Sequence, residues 1–323
     1  MRNHSRGQRC SPTRSASPPP SASRSSELRR YAEQVEFARQ ITLPKDSTDH
    51  LRVWVNGRLY NDQADAHVLA LDHGLTVGNG VFEALKVTET GPFALQRHLD
   101  RLSRSAAALA LPEPDHDLIR TAVAAVLHDR SFTHGKVRIT YSGGFGPLGS
   151  QAAYGPPTLV VAADAGTLTG ASAKIVTAPW VRNERGALTG VKSTSYGENV
   201  RALAYAVDRQ ATEAVFVNTV GHLCEGTGSN MFCVFGDQIV TPPLSAGPLA
   251  GITRALVIEW IGVTEADLSL AEALTADEVF LTSSLRDVQA VHQWDALELD
   301  DVGPVTRRAA ATFAERSAAH PEP

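Results

Sequence analysis

The chain has 323 residues, 43% of them hydrophobic and 20% charged, with a formal net charge of -5, an ordinary globular composition with room for one large domain or two medium ones. The acidic balance argues against a dedicated nucleic-acid partner, and no apolar run reaches the roughly 18 residues of a membrane-spanning helix. Cys10, Cys224 and Cys233 are too few and too scattered for a disulfide framework and fit a reducing cytoplasm.

Residues 1–48 differ from the rest. The first thirty carry seven arginines, one acid (Glu27), many serines and Pro18-Pro19-Pro20. Such a segment buries too little apolar surface to order itself and reads as a disordered extension. Its composition also suits a transit peptide, and a mis-assigned start codon explains it equally well.

The folded part opens at Val53-Trp54-Val55 before an Asn56-Gly57 turn signal, and a second strand is expected near His67–Leu71. Asp72-His73-Gly74 and Gly78-Asn79-Gly80 then precede a strand over Val81–Val87 and a turn at Thr90-Gly91-Pro92. Leu95, Leu99, Leu102, Ala106 and Leu109 recur at helical spacing, which predicts an amphipathic helix over 96–110. A helix over Asp117–His128 and strands over Lys136–Tyr141 and Pro157–Ala162 complete a small α+β domain, 50–162. Gly, Thr and Ala dominate 163–173, which reads as a linker. A larger domain, 174–310, follows, with strands at Lys174–Ala178, Glu213–Val217, Asn230–Phe235, Ile239–Thr241 and Glu278–Thr282. Its helices are expected near Asn199–Gln210 and from Gly251 to Ile261. Residues 311–323 read as a tail.

Gly144-Phe145-Gly146-Pro147-Leu148-Gly149 matches G-x-G-x-x-G literally, but Pro147 sits inside it and Gln151–Pro157 cannot open the helix that a dinucleotide site requires. It is better read as a loop between strands. His222, Cys224 and Cys233 lie on one hairpin, and a turn histidine with two half-buried thiols accounts for them without a metal.

Two features of the second half and one of the first suit a phosphate-bearing ligand. Gly251-Ile252-Thr253 opens a helix, whose free N–H groups and dipole favour an anion. Ser283-Ser284 ends an apolar strand, and Arg101 could add a bidentate guanidinium. Taken singly, these are equally a helix start, a turn and a solvated charge. Lys192 sits among apolar and small hydroxyl residues in Gly190-Val191-Lys192-Ser193-Thr194-Ser195, where desolvation would favour a neutral, nucleophilic amine; the plainer reading is a snorkelling surface lysine. Glu225, in Cys224-Glu225-Gly226-Thr227-Gly228-Ser229-Asn230, could face a cavity from a strand end or simply be exposed.

Taken together, six blocks over about 52–305 make the chain resemble class IV, or fold type IV, pyridoxal-5'-phosphate (PLP) enzymes, which include branched-chain and D-amino acid aminotransferases and aminodeoxychorismate lyase. The blocks are D-H-G-L-x-x-G-x-G-V-F-E (Asp72–Glu83), H-L-D-R-L (His98–Leu102), V-K-S (Val191–Ser193), C-E-G-T-G-S-N-M-F (Cys224–Phe232), L-A-G-I-T-R (Leu249–Arg254) and D-E-V-F-L-T-S-S (Asp277–Ser284).

The resemblance implies an α+β fold of two domains, D-amino acid aminotransferase-like, with the site in the cleft between them and a homodimeric assembly. It implies that Lys192 carries the cofactor and moves protons, and that Glu225 pairs with the pyridine nitrogen so that the ring acts as an electron sink. Arg101, the Ile252 and Thr253 amides and Ser284 match phosphate positions, and Leu249 matches the residue packed on the ring. Tyr196 is a candidate contact of the cofactor oxygen, although it follows the lysine by four residues where branched-chain enzymes use five. Arg138 and Leu285 are candidate substrate contacts. Val77-Gly78-Asn79-Gly80 is closer to the turn of lyase and D-amino acid enzymes, whereas the arginine that some lyases carry in the glycine-rich loop is replaced here by Pro147-Leu148. The implied reaction is amino transfer from a small amino acid to a 2-oxo acid. The alternatives are conversion of aminodeoxychorismate to 4-aminobenzoate and pyruvate, and PLP binding without turnover.

Overall fold

Asn56 and Gly57 both take positive φ, 45° and 97°, the geometry of a two-residue hairpin turn. They fold β1 (Arg52–Val55) back as β2 (Arg58–Tyr60) in register Val55↔Arg58. The computed structural model describes residues 51–323 except 62–64, 131, 133 and 166–169; the extension expected over 1–48 lies outside the described residues. The strand expected over His67–Leu71 does not form. Val68, Leu69 and Leu71 are exposed, so the segment buries no apolar face that would hold it as a strand. Only an isolated bridge, Asp72↔Phe145, follows it.

A four-residue helix, α1 (His73–Thr76), is capped by the Asp72 carboxylate and leads into β3 (Gly80–Thr88) and the short β4 (Gly91–Pro92). Helices α2 (Leu95–Ala108) and α3 (His116–Leu127) follow, then β5 (Gly135–Ser142) and β6 (Thr158–Ala165). The first sheet runs β2-β1-β6-β5-β3-β4. Alternation divides its two faces. Val81, Leu85 and Val87, with Val137, Ile139 and Tyr141 across from them, pack beneath Leu99, Leu102, Ile119 and Val123 of the two helices. Phe82, Ala84 and Lys86, opposite Thr140, Arg138 and Lys136, occupy the other face.

Strand β6 extends to Ala165 and β7 (Ser172–Thr177) starts the second sheet, so both ends of the expected linker are strand. Helix α4 (Gly197–Val207) precedes β8 (Glu213–Val217), β9 (Leu223–Gly226), β10 (Asn230–Phe235) and β11 (Gln238–Thr241). Next come α5 (Ile252–Ile261), β12 (Thr264–Glu265), α6 (Leu270–Ala273), β13 (Glu278–Ser283), β14 (Asp287–Trp294), β15 (Leu297–Glu298) and α7 (Pro304–Ala319). The second sheet runs β12-β11-β10-β13-β14-β7-β8-β9, with β15 on β14 and β9 also meeting β10. Its central strands are apolar on both faces because both are covered. Met231, Cys233 and Leu281 join one core, while Phe232, Val234 and Phe280 join another with α5 and α7. Phe232 and Phe280 are register partners whose rings stack 4.7 Å apart.

The expected tail is mostly helix. Val305, Ala309 and Phe313 form an i, i+4, i+8 stripe that is fully covered. Beyond it, the Glu322 carboxylate accepts hydrogen bonds from the Leu95 and Gln96 amides at 2.9 and 3.1 Å, capping α2, whose own N-cap Ala94 has no side chain to do so. Phe313 has no exposed surface and meets Phe93 and Trp260. Phe313→Ala is therefore expected to cost about 3–5 kcal/mol, measured by urea unfolding; a loss below about 1 kcal/mol would show that this helix is dispensable.

Candidate active site

One cavity of about 1210 Å³ is lined by residues of both sheets. Nine of the ten residues singled out from the sequence line it: Arg101, Lys192, Tyr196, Glu225, Leu249, Ile252, Thr253, Ser284 and Leu285. Arg138 does not. It is exposed on β5 with its guanidinium 3.8 Å from the centre of the Phe82 ring.

Lys192 follows a positive-φ glycine, Gly190, on a segment that docks on the free edge of β3. Phe82 N donates to Lys192 O at 2.9 Å, and Thr194 N donates to Gly80 O at 2.8 Å. These bonds bring the Lys192 amine to 4.4 Å from the Phe82 ring centre and 5.8 Å from that of Tyr196. Burial, reinforced by the Arg101 charge and opposed by Glu83 and Glu225, lowers the amine's pKa to about 8. Tyr196 stands edge-on to Phe82 at 5.2 Å, and burial with the Glu225 charge raises its hydroxyl to about 12.

Glu225 lies on β9 between Phe216 of β8 and Asn230 of β10. Its Oε2 accepts a hydrogen bond from Leu249 N at 2.9 Å, and its Oε1 lies 3.5 Å from Arg182 Nε. Burial pushes this carboxyl above its ordinary range, with Arg182 offsetting part of the shift. Leu249 thus contributes a backbone donor besides its apolar side chain, and its carbonyl accepts from Asn230 Nδ2. Arg182 was not marked by any sequence signal. It lies ten residues before Lys192, donates to Glu198 and Asn199 as well, and stacks on Phe216.

Helix α5 begins at the cavity wall with Gly251 as N-cap and no side-chain cap, so its first N–H groups face the cavity end of the helix dipole. A side chain at Gly251 is sterically excluded, since a Cβ there would meet Asn230 Oδ1 at 1.9 Å. Arg101 reaches the same place from α2: its Nη1 donates to Ala250 O at 3.0 Å. Its Nε and Nη2 are bound to Glu83 at 2.8 and 2.6 Å. Glu83 is fully buried; burial alone would raise its pKa, but Arg101 and His98 overcome this and hold it at about 2. His98 Nδ1 lies 2.6 Å from Glu83, and its Nε2 lies 3.5 Å from Ser284 Oγ. Neither Glu83 nor His98 was assigned a role from sequence, although both stand within the quoted blocks. Beyond Glu225, Glu213 accepts from Gly228 N and Ser229 Oγ, both at 2.7 Å, and pairs with Arg286 at 2.5 Å, joining two turns of the cavity wall. His222 pairs with Asp267 at 3.4 Å, and Cys224 and Cys233 are buried.

The family model described as amino-transferase class IV matches residues 80–294. The chain is 30% identical over 249 residues to the aminodeoxychorismate lyase of Bacillus subtilis, covering 73% of this chain and 84% of that one. It is 27% identical over 282 residues to the branched-chain-amino-acid aminotransferase of Escherichia coli K12, covering 81% and 91%. The solved branched-chain aminotransferase of the thermophilic archaeon Thermoproteus uzoniensis, with norvaline, superposes with a TM-score of 0.76 at 27% identity, covering 82% of this chain and 93% of that one.

The desolvated amine can be tested directly. In protein stripped of carbonyl ligands, reaction of Lys192 with an amine-directed acylating reagent is expected to rise with pH and reach half its maximum near pH 8, as read by peptide mass spectrometry. A midpoint at the ordinary lysine value would mean that the amine is solvated.

Proposed function

Because the chain belongs to the class IV aminotransferase family, a PLP-dependent group, we propose that it is an aminotransferase that moves an amino group from a small amino acid to a 2-oxo acid, using PLP held on Lys192. One observation carries this reading: a desolvated amine, a buried carboxylate and an uncapped helix start with a guanidinium beside it all line one cavity. The group fits these residues. Burial leaves Glu225 titrating high although Arg182 at 3.5 Å and the Lys192 charge both oppose the shift, and a protonated ring nitrogen would supply the close cation that the carboxylate needs.

In this reading, the Ile252 and Thr253 amides, Arg101 and Ser284 hold the phosphate, and Leu249 packs on the ring. Tyr196 meets the ring oxygen and Leu285 contacts substrate, while Arg138, outside the cavity lining, would meet a substrate carboxylate only from the open sheet face beside Phe82. When bound, PLP supplies an electron sink for charge developing at the substrate Cα. Lys192 Nζ takes the Cα proton and returns it; a pKa near 8 keeps an appreciable fraction neutral at physiological pH while retaining basicity. Glu225 stays ionised against the ring nitrogen and keeps that nitrogen protonated. Phe82 and Tyr196 shield the amine from water.

The small domain over 50–162 and the larger one over 174–310 would close the site between them. We further read the protein as a cytoplasmic homodimer. Exposed Leu75, Phe145, Leu148 and Tyr154 supply apolar surface for a second copy. The 30% identity to the Bacillus subtilis lyase favours a second reading, in which the same amine and carboxylate release pyruvate from aminodeoxychorismate.

An absorbance scan of the purified protein with PLP and a panel of L- and D-amino acids tests the main reading. Wild type is expected to show a visible band that amino acids change and that Lys192→Ala abolishes. A colourless protein that PLP cannot reconstitute would overturn it, and a band indifferent to every amino acid would indicate binding without turnover. Incubation with aminodeoxychorismate separates the two enzymatic readings: 4-aminobenzoate appears only if the second holds.

A further inference from the structure

Arg101 presents an unusual balance of charge. The residue is 4% exposed, and three of its five side-chain N–H donors are already committed, two to Glu83 and one to Ala250 O. Glu83 is 0% exposed and comes from the apolar face of β3, pointing between the sheet and α2. Binding a phosphate does not by itself require a buried carboxylate on the arginine, and in Coulomb terms such a carboxylate opposes the anion. His98, buried on the same carboxylate, reaches Ser284, so one group connects two of the positions assigned to the phosphate.

We propose that Glu83 is the internal counter-anion of the phosphate cup: it neutralises Arg101 before the anion arrives, and so keeps the start of α5 and Ser284 in place when no phosphate is bound. The proposal rests on reading this wall as the phosphate site. An arginine buried in a protein wall with no anion is strongly unfavourable. Without Glu83, the cation would turn towards solvent and release Ala250 O, loosening the carbonyl that precedes the N-cap of α5. With Glu83, the pair is neutral and the two remaining Arg101 donors stay available. Burial lowers the pKa of His98 against the pull of Glu83, which favours the neutral imidazole and a trio of one cation and one anion. Glu83 is a positioning residue and touches no reacting atom.

The sign of the effect separates this role from ordinary structural support. Removing a merely structural carboxylate lowers thermal stability equally with and without phosphate. Removing a counter-anion makes the protein depend on an external one, because phosphate then binds a state that has no internal substitute.

The experiment measures Tm of cofactor-free wild type, Glu83→Gln and the double variant Glu83→Gln/Arg101→Met, with inorganic phosphate or with sodium chloride at matched ionic strength. Glu83→Gln is expected to melt about 5–15 °C below wild type in chloride, and phosphate should recover at least half of that loss while moving wild type by much less. The double variant, which lacks the buried cation, should melt above Glu83→Gln in chloride and should not respond to phosphate. Equal phosphate shifts in wild type and Glu83→Gln, or a double variant no more stable than the single one, would overturn the proposal. If Glu83→Gln is insoluble in chloride, a soluble double variant supports the proposal and an insoluble one refutes it. The underlying site reading is checked separately by wild-type affinity for PLP against pyridoxal: equal affinities would sink the phosphate site whatever Glu83 does.

Discussion

The docking of residues 192–194 onto β3 of the first sheet determines where the lysine amine can be. Two backbone bonds, Phe82 N to Lys192 O and Thr194 N to Gly80 O, carry the second half of the chain against the first. The approach is close enough to explain two glycines. Gly78 has φ 69°, and a Cβ there would also meet Ser195 Oγ at 2.5 Å; a Cβ at Gly80 would meet Thr194 Oγ1 at 3.0 Å. Glycine at these positions is a condition for bringing the amine over the Phe82 ring. The short motif and the distant lysine are parts of one contact.

Around that contact, the cavity wall pushes two carboxylates in opposite directions. Burial raises both, but Glu83 faces a bidentate guanidinium and an imidazole and falls to about 2. Glu225 has one backbone donor and one arginine at 3.5 Å, and it rises. The difference in partners assigns them different work. A carboxylate already neutralised within the wall holds the wall together, whereas one short of positive charge is suited to meet a cation from a ligand.

Lys192 and Glu225 were legible because each lies in a short block whose order along the chain resembles a known family. Pattern alone could not separate Lys192 from a snorkelling lysine, since the amine is buried by groups distant in sequence, among them the Phe82 ring 110 positions earlier. Glu83 stood in plain view but reads as a polar interruption on the buried side of β3; its partners lie 15 and 18 residues on, across a turn whose packing the sequence does not announce. Arg182 was missed for a similar reason, because its partner is a strand away. Strand β5 alternates cleanly and was found, as was β3 despite the buried Glu83; His67–Leu71 has the composition of a strand but its apolar side chains are largely exposed, and composition cannot show which face will be covered. The last helix was not expected at all, and the domain was ended at 310, because its alanines hide a stripe that only Val305 and Phe313 mark strongly.

The open face of the first sheet sets the remaining constraint. Lys86 and Lys136 are direct cross-strand partners, an arrangement that repels. Each is answered by a carboxylate, Lys86 by Asp287 at 2.7 Å and Lys136 by Asp164 at 3.7 Å. Arg138 lies next on the same face. Among the described residues, no carboxylate comes within ion-pair distance of it; it is held by the Phe82 ring and by Thr140 Oγ1 at 3.3 Å. A ring face steadies a guanidinium without cancelling its charge. Two cations on this surface are therefore committed to the fold, and the third keeps its charge uncompensated beside the same aromatic ring that carries the Lys192 amine.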